Sequence, residues 1–208
     1  MKQSFLGGIL GSAGCIETRQ LFSLATSAWA ALSFLLSPIH AARAGSNSDV
    51  IAPLVRGNLV ILKGNQLEPY PDRNLKGIKY YAIYYAAYWC PDCRAYTPTL
   101  VKFYTRMKAL HPDFELLFVS MDTDATSMSQ YMNVMAMPWP AVSYEAGGGN
   151  PDHFQGPGIR RFASNFIPEL VLVDAKGRII DEGGSGEGAT TSGKAQEAIE
   201  EFLSESDQ

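Results

Sequence analysis

The sequence predicts an α/β fold of three layers, α/β/α, in which helices cover both faces of one central mixed sheet. Three observations predict it. Apolar runs of strand length alternate with segments whose apolar residues recur every three to four positions. The run Ile78 to Ala87 is apolar or aromatic on both alternating faces after Lys79, as a strand covered on both sides must be. Late in the chain two short apolar runs are joined by the turn Asp174-Ala175-Lys176-Gly177, which makes them antiparallel neighbours. The order is strand, strand, helix, strand, helix, strand, strand, helix, and it fits a single sheet between two helical layers.

In chain order, residues 1–44 stand apart. Leu21 to Leu36 is apolar or small, Lys2 and Arg19 lie upstream, and Ala42-Arg43-Ala44 has the small-x-small form of a cleavage site, so this segment reads as an export signal. The stretch contains Ser23, Thr26, Ser27 and Ser33 and is short for a membrane span, which needs about 20 apolar residues. An anchor retained through an uncleaved signal is the lesser alternative. Cleavage would remove Lys2, Arg19, Arg43 and Glu17, taking the formal charge from -4 to about -6, and would take Cys15 with it. An acidic chain without a basic stripe is a poor match for nucleic acid, and no span is expected in the mature chain. The expected setting is periplasmic or extracellular, where disulfides form and persist.

Residues 45–57 read as a linker, polar from Gly45 to Asp49, and 58–205 as the folded domain. Asn58 to Lys63 offers the first strand, and Pro69, Pro71, Asp72 and Asn74 mark the turn after it. Ile78 to Ala87 is the central strand, its aromatic content favouring strand over helix. Beyond Cys90 the period changes: Cys93, Tyr96, Leu100, Phe103, Met107 and Leu110 form one face of a long helix that His111-Pro112-Asp113 ends. Phe114 to Val119 is a buried-type strand, and Met128, Met132 and Met135 mark a second helix face as core filler. Met137-Pro138-Trp139-Pro140 breaks that helix, and glycines from Gly147 to Gly158 describe a loop. Glu169 to Val173 and Arg178 to Ile180 are the late strand pair. After Gly183 to Gly188, Lys194 to Leu203 forms the last helix with Ala195, Ala198, Ile199 and Phe202 inward.

The chemistry concentrates in Trp89-Cys90-Pro91-Asp92-Cys93-Arg94, at the junction between the central strand and the long helix. Cys90 falls near the helix N-cap, where free backbone N–H groups and the positive end of the dipole favour a thiolate. It is the expected nucleophile, and Cys93, one turn on, the resolving thiol. Pro91 suits the first helical position, where a missing N–H costs nothing. Asp92 stabilises the helix but opposes the thiolate beside it, which predicts a reductant or general exchanger rather than a strong oxidase. Trp89 is expected at the exposed rim, whereas Tyr80, Tyr81, Tyr84, Tyr85 and Tyr88 are expected to be mostly core.

Trp-Cys-x-x-Cys-Arg after an aromatic strand resembles the thioredoxin superfamily, particularly its tryparedoxin and nucleoredoxin-like branch, over roughly Asn58 to Phe202. That resemblance implies a thioredoxin-like fold with thiol-disulfide oxidoreductase activity through a redox-active Cys90-Cys93 disulfide, and no other cofactor or metal. Pro98 matches the family's helix proline, and Ile167-Pro168 its cis-proline before a late strand. The implied substrate groove is Trp89, Pro91, Asp92, Ile167 and Pro168, with the Ile167 backbone pairing with an extended substrate. The implied partners are a disulfide-containing protein or a small-thiol substrate, and a reductant or oxidant the sequence does not name. Tyr84 stands where thioredoxin has a buried acid, so no side-chain base is assigned to Cys93.

Three rival readings are weaker. A metal site would need His111 and His153, whose spacing from Cys93 does not match a tight second ligand pair. A peroxidase of the peroxiredoxin type lacks its Pro-x-x-x-Thr-x-x-Cys pattern here, and a binding module that has lost activity has no reason to keep both cysteines and Pro168. Asp122 and Asp124 are expected as a solvated cap to the following helix, and Arg160 and Arg161 as a solvated pair. The segment Ala136 to Arg161 is the expected seat of specificity.

Overall fold

The chain divides into two units, residues 1–43 and 44–208, and the computed structural model describes residues 49–147, 158–181 and 189–206, all in the second. The signal expected over 1–44, Cys15, His153 and the glycine-rich stretches 148–157 and 183–188 lie outside the described residues. The elements are α1 (Ile51–Val55), β1 (Leu59–Lys63), β2 (Gln66–Pro69), β3 (Tyr80–Ala86), α2 (Pro91–Leu110), β4 (Phe114–Ser120), α3 (Ala125–Val134), β5 (Ala141–Val142), β6 (Glu169–Asp174), β7 (Ile179–Asp181) and α4 (Ala189–Ser206). Single turns of 3-10 helix lie at Asp72–Leu75 and Gly158–Phe162. Among the described residues no helix is long and apolar enough to cross a membrane.

The aromatic run predicted to be central is central. The sheet order is β2-β1-β5-β4-β3-β6-β7. Strand β3 runs parallel to β4, from the pair Tyr80 and Phe114 to the pair Ala86 and Ser120, and antiparallel to β6, from Tyr80 and Asp174 to Tyr85 and Glu169. A parallel β4-β5 pair and antiparallel β5-β1, β1-β2 and β6-β7 pairs complete a mixed sheet. Every residue of β4 and β6, and of β3 after Tyr80, is buried, which is why these strands carry no alternating polar face. Side chains alternate along a strand, so Tyr84 points away from Tyr81 and Tyr85. The Tyr84 hydroxyl reaches Thr97 of α2 and Tyr131 of α3, whereas Tyr81 reaches Asp49 before α1 and Tyr85 the Ile159 carbonyl. Helical layers therefore lie on both faces, with α4 packed beside α2.

Helix α2 buries Cys93, Tyr96, Leu100, Phe103 and Met107, the predicted face. Leu110 departs from it: as the last helical residue it runs clear of the sheet and is 63% exposed. The stretch read as a linker is packed structure from Asp49 onward. Asp49 accepts the Ile51 and Ala52 N–H groups, Val50 N–H bonds the Ala175 carbonyl at 2.7 Å, and Ile51 and Val55 are buried. The turn expected after β1 comes earlier. Gly64, at φ +60, turns the chain into β2, an edge strand exposed at three of its four residues that shows no apolar run. Strand β5, two residues long, is too short for periodicity to reveal.

Leu100 is fully buried on the sheet side of α2. Leu100→Ala is expected to lower the unfolding free energy by about 2–5 kcal/mol, the range for a buried leucine whose site relaxes only partly. Urea titration checks this, and a change within about 0.5 kcal/mol, as at a surface position, would show that α2 does not rest on the sheet through this residue.

Candidate functional site

Strand β3 ends at Ala86, and after three intervening residues the chain turns into α2 with Cys90 as N-cap in extended conformation, φ -81 and ψ 116. That geometry leaves the Cys93 N–H without a helical acceptor, and it donates to the Cys90 sulfur at 3.3 Å. Pro91 takes the first helical position, as predicted. Both cysteines are free thiols, 5% and 0% exposed. On its other side the Cys90 Sγ–H points at the Ile167 carbonyl, 3.8 Å away, and the Ile167-Pro168 bond is cis. A loop far along the chain thus lies against the sulfur at the sheet's carboxyl end, where open α/β sheets build their sites.

The two thiols differ in acid strength although they are one turn apart. The Cys90 thiol is lowered to about 7, first by the hydrogen bond it receives from the Cys93 thiol and then by the Cys93 and Asp92 N–H groups; burial and the Asp92 charge oppose the shift. The Cys93 thiol is pushed far up, first by burial and then by its bond to Cys90 and the charge there. The thiol at the helix N-terminus is therefore the more readily ionised of the two, and the deeper one keeps its proton.

Around the sulfur the rim is aromatic. Trp89 is 51% exposed, and its Nε1–H donates to the Met121 carbonyl at 3.1 Å, which fixes the indole edge. Pro91 and Asp92 are exposed, Ile167 is half-buried and Pro168 is buried. Phe166, which the sequence reading passed over, is 49% exposed beside Ile167. Its loop is held by the Ser164 N–H on the Glu169 carboxylate at 2.7 Å and the Phe166 N–H on Ser164 Oγ at 3.3 Å.

Two expectations about charged residues are corrected. Asp124 does cap α3, accepting the Ser127 N–H at 2.8 Å, but Asp122 is not solvated. It is 1% exposed, burial raises its carboxyl pKa, and it accepts the Tyr88 N–H at 2.7 Å and the Ser120 hydroxyl at 2.8 Å. The Arg94 guanidinium donates to the Tyr88 carbonyl and lies 5.7 Å from the centre of the Tyr88 ring. The peptide groups flanking Tyr88, just before Trp89 and Cys90, are thus gripped by a carboxylate and a guanidinium. Arg160 is likewise buried, at 4% exposure, with Nη2 toward the Ser120 carbonyl at 3.4 Å; Arg161 is the exposed member, stacked on Phe162 at 4.6 Å.

Tyr84 is buried beneath the cysteines, its hydroxyl 3.0 Å from Thr97 Oγ1 and 3.4 Å from the Tyr131 hydroxyl. The sequence reading names neither Thr97 nor Tyr131; the signal for Thr97 is its place one turn beyond Cys93, and the sequence carries none for Tyr131. His111 is the C-cap of α2, some 18 residues from Cys93 and so about 27 Å along the helix, which removes it from the cysteines as a shared ligand. Among the described residues no group of three or more His, Cys, Asp or Glu could hold a metal ion.

The pH dependence of this arrangement is testable in the reduced protein. The iodoacetamide reaction rate of Cys90 is expected to rise with pH around a midpoint near 7, because only the thiolate reacts and its acid form is lost through that range. Asp92→Asn removes an opposing charge and moves the midpoint down while leaving the Asp92 N–H in place. A midpoint near the free-thiol value of ~8.5, or an upward shift in the variant, would contradict the assigned causes.

A family model described as thioredoxin-like matches residues 77–179. Nucleoredoxin from Xenopus laevis is 35% identical over 138 residues, covering 65% of this chain and 29% of that protein, so the chain spans under a third of this curated relative. Among solved structures, tryparedoxin II from C. fasciculata is 31% identical with a TM-score of 0.51, over 71% of this chain and 89% of that one. Native tryparedoxin I from Crithidia fasciculata is 26% identical with a TM-score of 0.50, over 64% and 85%. With the mixed sheet and the helix-capping cysteine already in place, these likenesses identify the chain as a member of the thioredoxin-like superfamily of oxidoreductases, tied to the tryparedoxins by structure and to the nucleoredoxins by sequence.

Proposed function

We propose that this chain is an exported thiol-disulfide oxidoreductase that reduces or exchanges disulfides through Cys90 and Cys93. One observation carries the reading: a free thiol lowered to about 7 caps α2, accepts the Cys93 N–H at 3.3 Å and faces the Ile167 carbonyl of the cis-proline loop. The Cys90 thiolate attacks one sulfur of a client disulfide, the client's bond breaks, and its departing sulfur takes up a proton. Cys93 then gives up its proton and attacks Cys90, the second client thiol leaves, and a Cys90-Cys93 disulfide remains. Return to the dithiol takes two electrons from a separate thiol reductant; an oxidising partner would run the same steps backwards.

The client lies against Trp89, Pro91, Asp92, Ile167 and Pro168, its extended backbone beside Ile167. A protein disulfide suits that edge. Tryparedoxin II has been solved in complex with glutathionylspermidine, which supports a small thiol as the alternative substrate or donor. The export-signal pattern of residues 1–44 supports a periplasmic or extracellular setting.

Trapping tests the reading. Cys93→Ala, expressed in its own compartment, is expected to accumulate mixed disulfides with client proteins through Cys90, and Cys90→Ser to accumulate none and to reduce a model disulfide no faster than the reductant alone. A normally reactive Cys90 thiol that captures no partner would favour a binding role instead.

A further inference from the structure

Three hydroxyl groups meet under the first turn of α2, and their hydrogen-bond directions can be assigned. Thr97 Oγ1 donates to the Cys93 carbonyl at 2.7 Å. A threonine hydroxyl has one proton and two lone pairs, so toward every other neighbour Thr97 is an acceptor. The Tyr131 hydroxyl at 2.6 Å therefore donates to it, and the Tyr84 hydroxyl shares its one proton between Thr97 Oγ1 at 3.0 Å and the Cys93 carbonyl at 3.5 Å. Thr97 and both tyrosines are 0% exposed. Burial pushes the Tyr84 and Tyr131 phenols up, so they keep their protons and remain donors at neutral pH.

The hydroxyl cluster lies beside a gap in the helical ladder. Pro98, inside α2, has no N–H to return to Arg94, so the helical ladder is interrupted one residue beyond the Thr97-Cys93 bond. While Cys90 is a thiolate, the Cys93 N–H on its sulfur holds the two cysteines together. In the mixed disulfide that charge is gone and this contact weakens, which leaves the Cys93 peptide to the bonds on its carbonyl, the Thr97 hydroxyl among them.

We infer that Thr97, loaded by the Tyr131 and Tyr84 hydroxyls, is a positioning residue for the resolving step, holding the Cys93 peptide so that its sulfur stays aligned on the Cys90-client bond. The inference rests on the proposed roles of Cys90 and Cys93. In the step concerned, Cys93 loses its proton to solvent and its sulfur bonds Cys90 Sγ. The Cys90-client bond breaks, and the client sulfur departs as a thiolate that protonates in water. The hydroxyls neither gain nor lose a proton overall.

The test separates attack from resolution. Reduced protein is mixed with a disulfide of thionitrobenzoate. Stopped-flow absorbance follows the first thionitrobenzoate released as Cys90 attacks and the second released as Cys93 resolves, in wild type, Thr97→Val, Thr97→Ser and Tyr131→Phe. Loss of one directed hydrogen bond is expected to slow the second release about three- to tenfold in Thr97→Val. Tyr131→Phe moves it the same way, Thr97→Ser restores it, and the first release is unchanged throughout. A Thr97→Val second release at the wild-type rate overturns the inference, as does a loss of both releases that Thr97→Ser shares, which marks general disruption. A wild type that releases the first thionitrobenzoate but never the second in a Cys93-dependent way overturns the parent reading of the pair, a different result from either.

Discussion

A central strand rich in tyrosine imposes a demand that most of this structure answers. Tyr81, Tyr84 and Tyr85 are each 0% exposed, and a phenol taken out of water must find a hydrogen-bond partner or carry the cost of desolvation. Tyr81 finds Asp49 at 2.8 Å, which draws the segment before α1 onto one face of the sheet. Tyr85 finds the Ile159 carbonyl at 2.5 Å, which brings in the 158–162 turn on that same face. Tyr84, alone on the opposite face, finds Thr97 and Tyr131 and so ties α2 and α3 together under the cysteines. Packing around them is aromatic too: Trp139 meets Tyr84 and Tyr104 edge-on at 6.2 and 5.5 Å. Tyr104 in turn shares the buried Glu115 carboxylate with Tyr70 and Lys108, which secures the far end of α2 to β4.

Satisfying those phenols also positions the chemistry. Because β3 is anchored on both faces, the three residues between Ala86 and Cys90 have little freedom, and Asp122 and Arg94 remove what is left by holding the peptide groups on either side of Tyr88. The helix can then begin at a defined place, with Cys90 as its cap and the Cys93 N–H on its sulfur. Acid strength follows from position: the thiol that caps the helix receives hydrogen bonds and is lowered, and the one a turn deeper is desolvated and raised.

What was legible in the sequence and what was not divide along a physical line. Buried strands and the long helix repeat their apolar pattern over many residues, so β3, β4, β6 and α2 could be read directly, as could the cysteine pair at a strand-to-helix junction. Short or exposed elements carry no such pattern: β2 is an edge strand, β5 spans two residues, and α1 makes a single turn inside a stretch that reads as linker. Asp122 was misplaced, and Phe166 and Tyr131 were missed, for another reason. Each matters through a contact made by the register of the fold, namely Asp122 on a loop N–H from β3, Phe166 beside a cis-proline loop, and Tyr131 on a threonine of a different helix. Its residue type and its place at a strand end assigned Asp122 to a solvated helix cap, which is where an unpartnered aspartate belongs. Thr97 is an intermediate case: it was not named, though its spacing of one turn from Cys93 could have singled it out, whereas the partners that load it have no sequence signal.

The phenol at Tyr84 has an electrostatic consequence that an acid in its place would reverse. The thiolate at Cys90 already bears the opposing charge of Asp92, and a second carboxylate buried under the pair would raise its pKa further. It would also have to be protonated, or paired, to remain in a site whose Tyr84 and Thr97 neighbours have no exposed surface. A hydroxyl avoids both problems: it is neutral at the pH where Cys90 ionises, and its single proton is met by Thr97 and the Cys93 carbonyl. The thiolate is thereby left to be set by the helix N-terminus and the Cys93 thiol alone, against burial and Asp92, while the groups beneath act on the backbone of Cys93 and not on the charge of Cys90.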